Sequence, residues 1–264
     1  MHADLFDRYR QGGSILHRLE ARVKLIALIV FILSNALLPD GAWFGFLLAW
    51  VCLLAMCQLS GLGAFFTLRG SLIALPFALA AASAIFAPTG HALAHWRLLG
   101  LELVPTDIGL LRFGSILARS WLSVQMGILM VTVTPFPDLI HAMEHLHFPK
   151  MLSTIIAFLY RYLFVLADEA FRLLRAREAR SGSMAGYKAG GTLLWRATAA
   201  GHMAGQLFLR SYDRSDRIYN AMLSRGYSGN LRTMRPHIFR ASDWAALGIV
   251  AVAIVLIQAI GRIA

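Results

Sequence analysis

The sequence predicts an all-α integral membrane protein with about five transmembrane helices. A cytoplasmic segment of one short amphipathic helix and two long crossing helices completes the predicted architecture. Of the 264 residues, 58% are hydrophobic and only 15% are charged, and the mean hydropathy is +0.62. These values lie outside the usual range of soluble globular domains. Apolar residues are also grouped in runs that approach the length of a bilayer crossing.

Five apolar runs are candidate membrane spans. Between the first two runs, Pro39-Asp40-Gly41 is a tight-turn signal, so these two spans are expected to form a hairpin. The first run is short and needs flanking residues or local thinning of the bilayer to cross. The runs are Leu25–Leu38, Ala42–Leu59, Ser71–Ala87, Phe113–Pro135 and Trp244–Ile260.

The charge distribution divides the chain into three parts. Residues 1–134 hold an N-terminal cytoplasmic segment and four spans, residues 135–240 form the cytoplasmic helices, and residues 241–264 form the last span. The middle part holds 15 of the 25 Lys and Arg residues. Basic residues directly before the first span, such as Arg22 and Lys24, place the N-terminus in the cytoplasm. Most of the net charge of +11 is therefore explained by basic residues that orient the chain in the membrane, and it does not indicate nucleic-acid binding.

Ionisable residues are almost absent from the predicted spans. These spans contain no Asp or Glu, and their one charged residue is Arg119. Ion-coupled carriers and intramembrane enzymes normally need ionisable groups along their path. For Arg119 we favour a structural role, either snorkelling outward or pairing with a polar backbone group, over a ligand role. Cys52 and Cys57 fit neither a metal motif nor a disulfide framework. The polar first twenty residues do not resemble a removable signal peptide.

Two histidine pairs have a spacing that suits metal binding. His91 and His95 lie in a predicted outer loop, and His141 and His145 lie in PDLIHAMEHLHFP, which reads as a short amphipathic helix on the membrane surface. Neither pair has a third ligand of suitable type with an argued position nearby. We therefore predict no metal site, and we interpret the histidines as surface or interfacial residues.

Two long helical patterns follow in the cytoplasmic segment. Met151–Ser181 carries an apolar stripe at steps of three or four, and its length of roughly 45 Å could reach from the membrane interior into the cytoplasm. A second pattern, about Thr192–Arg225, has Ala197, Gly201 and Gly205 at four-residue steps. Small residues at that spacing let two helices cross with their backbones close together. We predict them as helix-crossing residues.

Each long pattern ends on an arginine that is followed by small residues. Arg180 precedes Ser181 and Gly182, and Arg225 precedes Gly226, in accordance with the preference for glycine after a helix C-terminus. At a single site, the helix dipole and the cytoplasmic surface would explain such an arginine. Two such ends on neighbouring helices favour binding to a partner, because the guanidinium is a rigid fork of donors.

These motifs resemble the transmembrane T component of energy-coupling factor transporters, most closely the cobalt and nickel branch known as CbiQ or NikQ. The family's two signature triplets are Ala-Arg-Ser or Ala-Arg-Gly. The second triplet here has serine in place of alanine, which keeps the arginine and the small size. The resemblance covers most of the chain and rests on SILHRLEARVKL at 14–25, TPFPDLIHAMEHLHFPK at 134–150, Ala179-Arg180-Ser181, and SYDRSDRIYNAMLSRGYSG at 211–229 with Ser224-Arg225-Gly226.

The resemblance implies a non-catalytic coupling subunit in the bacterial inner membrane. Each triplet would dock on one of two cytoplasmic ATP-binding ATPase subunits. Their movement would pass to a separate substrate-binding S-type membrane subunit, similar to CbiM or NikM, which a small accessory membrane subunit can accompany. Membrane lipid is an expected partner, and nucleic acid is not. In agreement, the sequence has no GxxxxGK[ST] phosphate loop and no intramembrane carboxylate. No cofactor is expected.

Two other functions remain open at this point. A stand-alone secondary transporter or channel for a divalent cation would use the histidine pairs. An intramembrane lipid-modifying enzyme would bind phosphate through Arg119 and the outer histidines, but it needs an acid or nucleophile that we cannot place. The sequence does not distinguish cobalt from nickel.

Overall fold

The computed structural model describes residues 9–86, 96–98, 101–103, 106–146, 148–180, 192–229 and 239–263. It divides into two compact units. The bundle unit comprises the described residues within Arg8–Leu146 and His237–Ala264, and the two-helix unit those within His147–Pro236. The helices are α1 (Ile15–Arg18), α2 (Ala21–Ala36), α3 (Trp43–Ser60), α4 (Ala64–Gly70), α5 (Leu75–Ala81), α6 (Asp107–Val133), α7 (Phe136–His145), α8 (Lys150–Arg180), α9 (Leu193–Ser224) and α10 (Ala241–Ile263).

The structure confirms the predicted class of α-helical integral membrane protein. Within the described residues, α3, α6, α8 and α10 are long and apolar enough to cross a membrane. A fifth span is formed if the bent pair Phe65–Ala74 and Leu79–Ile85 counts as one broken helix. Two three-residue strands, β1 (Trp96–Leu98) and β2 (Leu101–Leu103), pair antiparallel and are a small exception to the helical class.

The spans differ from the predicted ones in three places. The predicted third span, Ser71–Ala87, is not one helix, because the bent pair turns by 51° near Pro76, a residue that lacks a backbone N–H. Helix α2, which holds most of the predicted first span, has only 16 residues, or about 24 Å, which is shorter than a bilayer core of about 30 Å. It is therefore not among the candidate spans of the described residues. Helix α8 has a mean hydropathy of 1.5 over its most apolar window, which is high enough for a membrane span.

The core of the bundle unit lies among α2, α3, α6 and α10. Its centre includes Leu53 and Leu122, which are almost completely buried. The backbones of α3 and α10 approach closely at two glycines, since a Cβ atom added to Gly45 would lie 3.1 Å from Cα of Gly261. Small residues permit such approaches between membrane helices. The predicted short amphipathic helix is α7, which begins directly after Pro135 and buries Ile140.

The two-helix unit has hardly any core of its own. Among its described residues, Ser153 is the one that is buried. The apolar stripe predicted for α8 is present but lies largely open, with Leu159 63% exposed and Ile155 48% exposed. On α9, Phe208 and Leu209 are exposed as well. Large exposed apolar surfaces mark contacts with membrane or with partner proteins.

Candidate docking site on the two long helices

The end of α9 is fixed by a turn of the Schellman type. The N–H of Gly226 donates to the carbonyl oxygen of Leu223 at 2.9 Å, and the N–H of Tyr227 donates to that of Met222 at 3.0 Å. Gly226 has φ of +79°, a backbone conformation that favours glycine. This confirms the predicted helix end. Arg225 is therefore the C-cap residue of α9.

The two predicted triplets are solvent-exposed where the structure describes them. Helix α8 continues to Arg180, so Ala179 and Arg180 form its last turn, and both are exposed. Ser181 and Gly182 lie outside the described residues. At the end of α9, Ser224, Arg225 and Gly226 are all exposed.

A basic cleft of about 1030 Å³ lies between the second half of α8 and the first half of α9. Arg180 lines it together with three other arginines, and the one carboxylate in the lining is that of Glu169. The lining therefore has an excess of positive charge, which attracts acidic groups. The other three arginines in the lining are Arg172, Arg177 and Arg210.

Most of these arginines already have a contact within the cleft. The carboxylate of Glu169 accepts hydrogen bonds from Arg172 on the same helix and from Arg210 on α9. The guanidinium carbon of Arg177 lies 5.7 Å from the ring centroid of Trp195, a cation–π distance. Within the described part of the chain, Arg180 has no ion-pair partner. Arg180 is exposed at the end of α8.

A separate apolar groove of about 530 Å³ lies between residues 155–166 of α8 and residues 211–222 of α9, with Tyr227 of the following turn also in its lining. Aromatic side chains form much of its lining. Met222 and Tyr227 of the Schellman turn also face it, so the turn that positions Arg225 closes one end of the groove. The aromatic lining residues are Phe158, Tyr162, Tyr219 and Tyr227.

The small-residue stripe of α9 does not face α8. Ala197, Gly201 and Gly205 are exposed, and a Cβ atom added at either glycine would meet nothing within 4 Å. The α9 residues that line the cleft lie one position after the stripe, as His202 does, or two positions before it, as Ala199 does. Because each residue turns a helix by about 100°, these offsets turn the stripe about 100–160° away from the cleft lining. Its role in helix crossing stays a prediction, for a helix other than α8.

Arg119 has the structural role that we favoured. Its guanidinium donates to the carbonyl oxygen of Leu38 and, at 2.9 Å, to Oδ1 of Asp40. Nε of Arg112 lies 3.7 Å from Oδ2 of the same carboxylate. These contacts tie the turn between α2 and α3 to α6.

The histidine pairs do not form a recognisable metal centre in the described residues. Nδ1 of His141 lies 3.7 Å from Oε2 of Glu144, while His145 is exposed. No group of three or more His, Cys, Asp or Glu residues is placed to hold a metal ion among the residues that the structure describes. His91 and His95 lie outside them.

Sequence reasoning missed a buried carboxylate that joins two helix N-termini. Asp243, in the first turn of α10, is only 2% exposed. Its Oδ1 accepts from the N–H of Glu20 at 3.1 Å, and its Oδ2 accepts from the N–H of Arg240 at 2.8 Å. An acidic residue in a first helical turn is a recognisable signal for a cap, but the sequence does not reveal the distant partner.

Comparison with known proteins identifies the family. The sequence matches the CbiQ family, described as cobalt transport protein, over residues 12–237. The chain belongs to this family. The predicted resemblance is thereby confirmed, and CbiQ membership identifies a membrane component of a transporter and not a catalytic enzyme.

Individual relatives agree with this assignment. An energy-coupling factor transporter transmembrane protein EcfT of Lacticaseibacillus paracasei is 29% identical over 92% of this chain and 93% of its own length. An EcfT protein of Lactococcus lactis is 27% identical over 85% of each chain. The cobalt transport protein CbiQ of Salmonella typhimurium is 29% identical over 50% of this chain and 58% of its own.

Proposed function

We propose that this CbiQ-family protein is the coupling subunit of an ATP-driven cobalt or nickel uptake transporter in a bacterial inner membrane, with its N-terminus in the cytoplasm. The observation that carries the proposal is the pair of exposed arginines, Arg180 and Arg225, at the ends of two long helices that contact each other. The printed names of the relatives, energy-coupling factor transporter protein and cobalt transport protein, support the same class.

Each arginine triplet docks on one of two cytoplasmic ATPase subunits in this proposal. A guanidinium at an exposed helix end can enter a groove on a partner and bind carboxylates or carbonyl oxygens there. The flanking residues Ala179, Ser181, Ser224 and Gly226 are small and leave room for close approach. A charged hydrogen bond that is enclosed by such a groove contributes much more to binding than one at the rim.

The apolar surfaces of α8 and α9 receive a membrane partner in this proposal. The open stripe of Ala197, Gly201 and Gly205 suits close packing against a helix of the S-type substrate-binding subunit, which holds the ion. Residues 1–134 and 241–264 then anchor the subunit in lipid, and residues 135–240 transmit movement from the ATPases. A small accessory membrane subunit completes the assembly in this branch.

The docking assignment is tested by charge reversal at the two helix ends. We expect Arg180→Glu together with Arg225→Glu to lower the amount of co-purified ATPase subunits by about thirtyfold or more, since disrupting an enclosed charge pair costs about 2–5 kcal/mol. Membrane insertion of the chain should be unchanged. The matched controls are Arg175→Glu on α8 and Arg217→Glu on α9, both exposed and both expected to keep the ATPases bound.

Two results would contradict the proposal. One is normal co-purification and uptake with the double variant. The other is uptake of cobalt or nickel into liposomes that contain this chain alone and no ATP, which would indicate a stand-alone transporter. Assay of the assembled complex with each ion separately decides between cobalt and nickel.

A further inference from the structure

Glu169 is a carboxylate that its two arginine partners largely cover, at the point where α8 and α9 meet. Its side chain is 12% exposed, whereas those of its partners Arg172 and Arg210 are 62% and 55% exposed. Arg172 lies three residues further along α8, so it orients the carboxylate from the same helix. Arg210 reaches the other carboxylate oxygen from α9. The carboxylate is thus held from both helices.

The basic cleft and the apolar groove meet at this ion pair. On α8, Leu166 is the last residue that lines the apolar groove and Glu169 is the first that lines the basic cleft. On α9, the boundary falls between Arg210, in the cleft, and Ser211, in the groove. The helices therefore have open space between them on both sides of the Glu169–Arg210 contact.

Such an arrangement permits a change in the angle between the helices. A close-packed core resists rotation, because interdigitated side chains have few alternative arrangements. Here Ser153 is the one buried residue among the described residues of the unit. A hydrogen bond between a carboxylate and a long arginine side chain can be kept while the backbones turn, since the arginine has several rotatable bonds.

We infer that the Glu169–Arg210 ion pair is the pivot of the two long helices, about which their crossing angle changes during transport. Rotation about this point narrows or widens the basic cleft and the apolar groove together and so carries movement from one end of the pair to the other. The pair acts on the helices and not on the ion, so Glu169 and Arg210 are positioning residues. This inference rests on the proposed coupling function.

The test compares charge reversal with charge exchange in the complete transporter, reconstituted in liposomes with its ATPase and S-type subunits. Glu169→Arg alone and Arg210→Glu alone place like charges opposite each other. We expect each to lower the ions transported per ATP hydrolysed by about tenfold or more, while the ATPases still co-purify. The double variant Glu169→Arg with Arg210→Glu should restore at least about a third of the wild-type ratio, because opposite charges face each other again.

The matched control is Asp168→Arg, which reverses an exposed carboxylate next to Glu169 on the same helix and should leave the ratio unchanged. The inference would be overturned if both single variants transported the normal number of ions per ATP hydrolysed. It would also be overturned if the double variant transported no more ions per ATP than the single variants. Loss of co-purified ATPase in Glu169→Arg would also overturn it, because the residue would then serve docking. If Arg180→Glu and Arg225→Glu retain the ATPases while the charge exchange still restores coupling, the docking proposal fails and the pivot stands.

Discussion

The bundle unit and the two-helix unit use their polar and apolar residues in opposite ways. In the bundle unit, Leu53 and Leu122 are almost completely buried, and Asp243 and Arg119 hold backbone groups of distant segments. In the two-helix unit, long apolar side chains and arginines are exposed alike, and two open spaces separate the helices. The bundle unit therefore carries the determinants of its own structure. The two-helix unit depends on surfaces supplied by others.

The largest expected effect is at the buried carboxylate of the bundle unit. Asp243→Ala removes the acceptor of two backbone N–H groups, those of Glu20 and Arg240. The N–H of Glu20 is buried and costs about 1–3 kcal/mol when left without a partner. The N–H of Arg240 is only part-buried, so its loss costs what a lost helix cap does, about 0.5–2 kcal/mol. We therefore expect the free energy of unfolding to fall by about 2–5 kcal/mol. Chemical unfolding in detergent measures it. Asp216→Ala, at an exposed position on α9, is the control, and equal effects of the two would contradict the contrast between the units.

The next largest effect distinguishes a buried leucine of the bundle unit from an exposed leucine of the two-helix unit. Leu122→Ala opens a cavity in a packed core, and we expect it to lower the free energy of unfolding by about 2–5 kcal/mol. Leu159→Ala changes a residue that is 63% exposed on α8, so the isolated subunit should change by no more than about 0.5 kcal/mol. The same variant should weaken assembly with the membrane partner, as measured by co-purification. A strongly destabilised Leu159→Ala subunit would show that α8 is packed after all.

The smallest expected effect is a gain in stability, whereas the two effects above are losses. Gly201→Ala adds a methyl group where there is open space, so we expect α9 to gain up to about 1 kcal/mol in helix stability. Slower amide hydrogen exchange in α9 of the isolated subunit would show this gain. Gly45→Ala, by contrast, places Cβ 3.1 Å from the backbone of Gly261 and should cost about 1–3 kcal/mol. Destabilisation by Gly201→Ala would mean that the stripe is already occupied within this chain.

Local signals were predictable from the sequence. The end of α9 at Gly226 follows from the freedom of glycine to adopt positive φ, and the apolar periodicity of α8 gave its start to within one residue. The exposure of Arg180 and Arg225 follows from their position at charged helix ends. Such features depend on residues within a turn or two of each other, and a sequence displays them directly.

Features that depend on distant residues were not predictable. The apolar run from Ser71 looks continuous because hydropathy depends on composition and does not show a bend in the backbone. Pro76 was the one local sign of a break, since proline disrupts the hydrogen bonds of a helix. The spacing of Gly201 and Gly205 identifies a surface for close packing but not which helix occupies it. The partners of Asp243 and Arg119 come together only when the helices pack, since 223 positions separate Asp243 from Glu20 along the chain.

The clamp at Asp243 has a consequence for the order of synthesis. The N-terminus of α2, the first long helix of the described residues, receives its carboxylate acceptor from the first turn of α10, the last of the described helices. Until that turn is translated, the N–H of Glu20 lacks this partner. Nascent chains that stop short of residue 243 should therefore have a less firmly held N-terminus of α2.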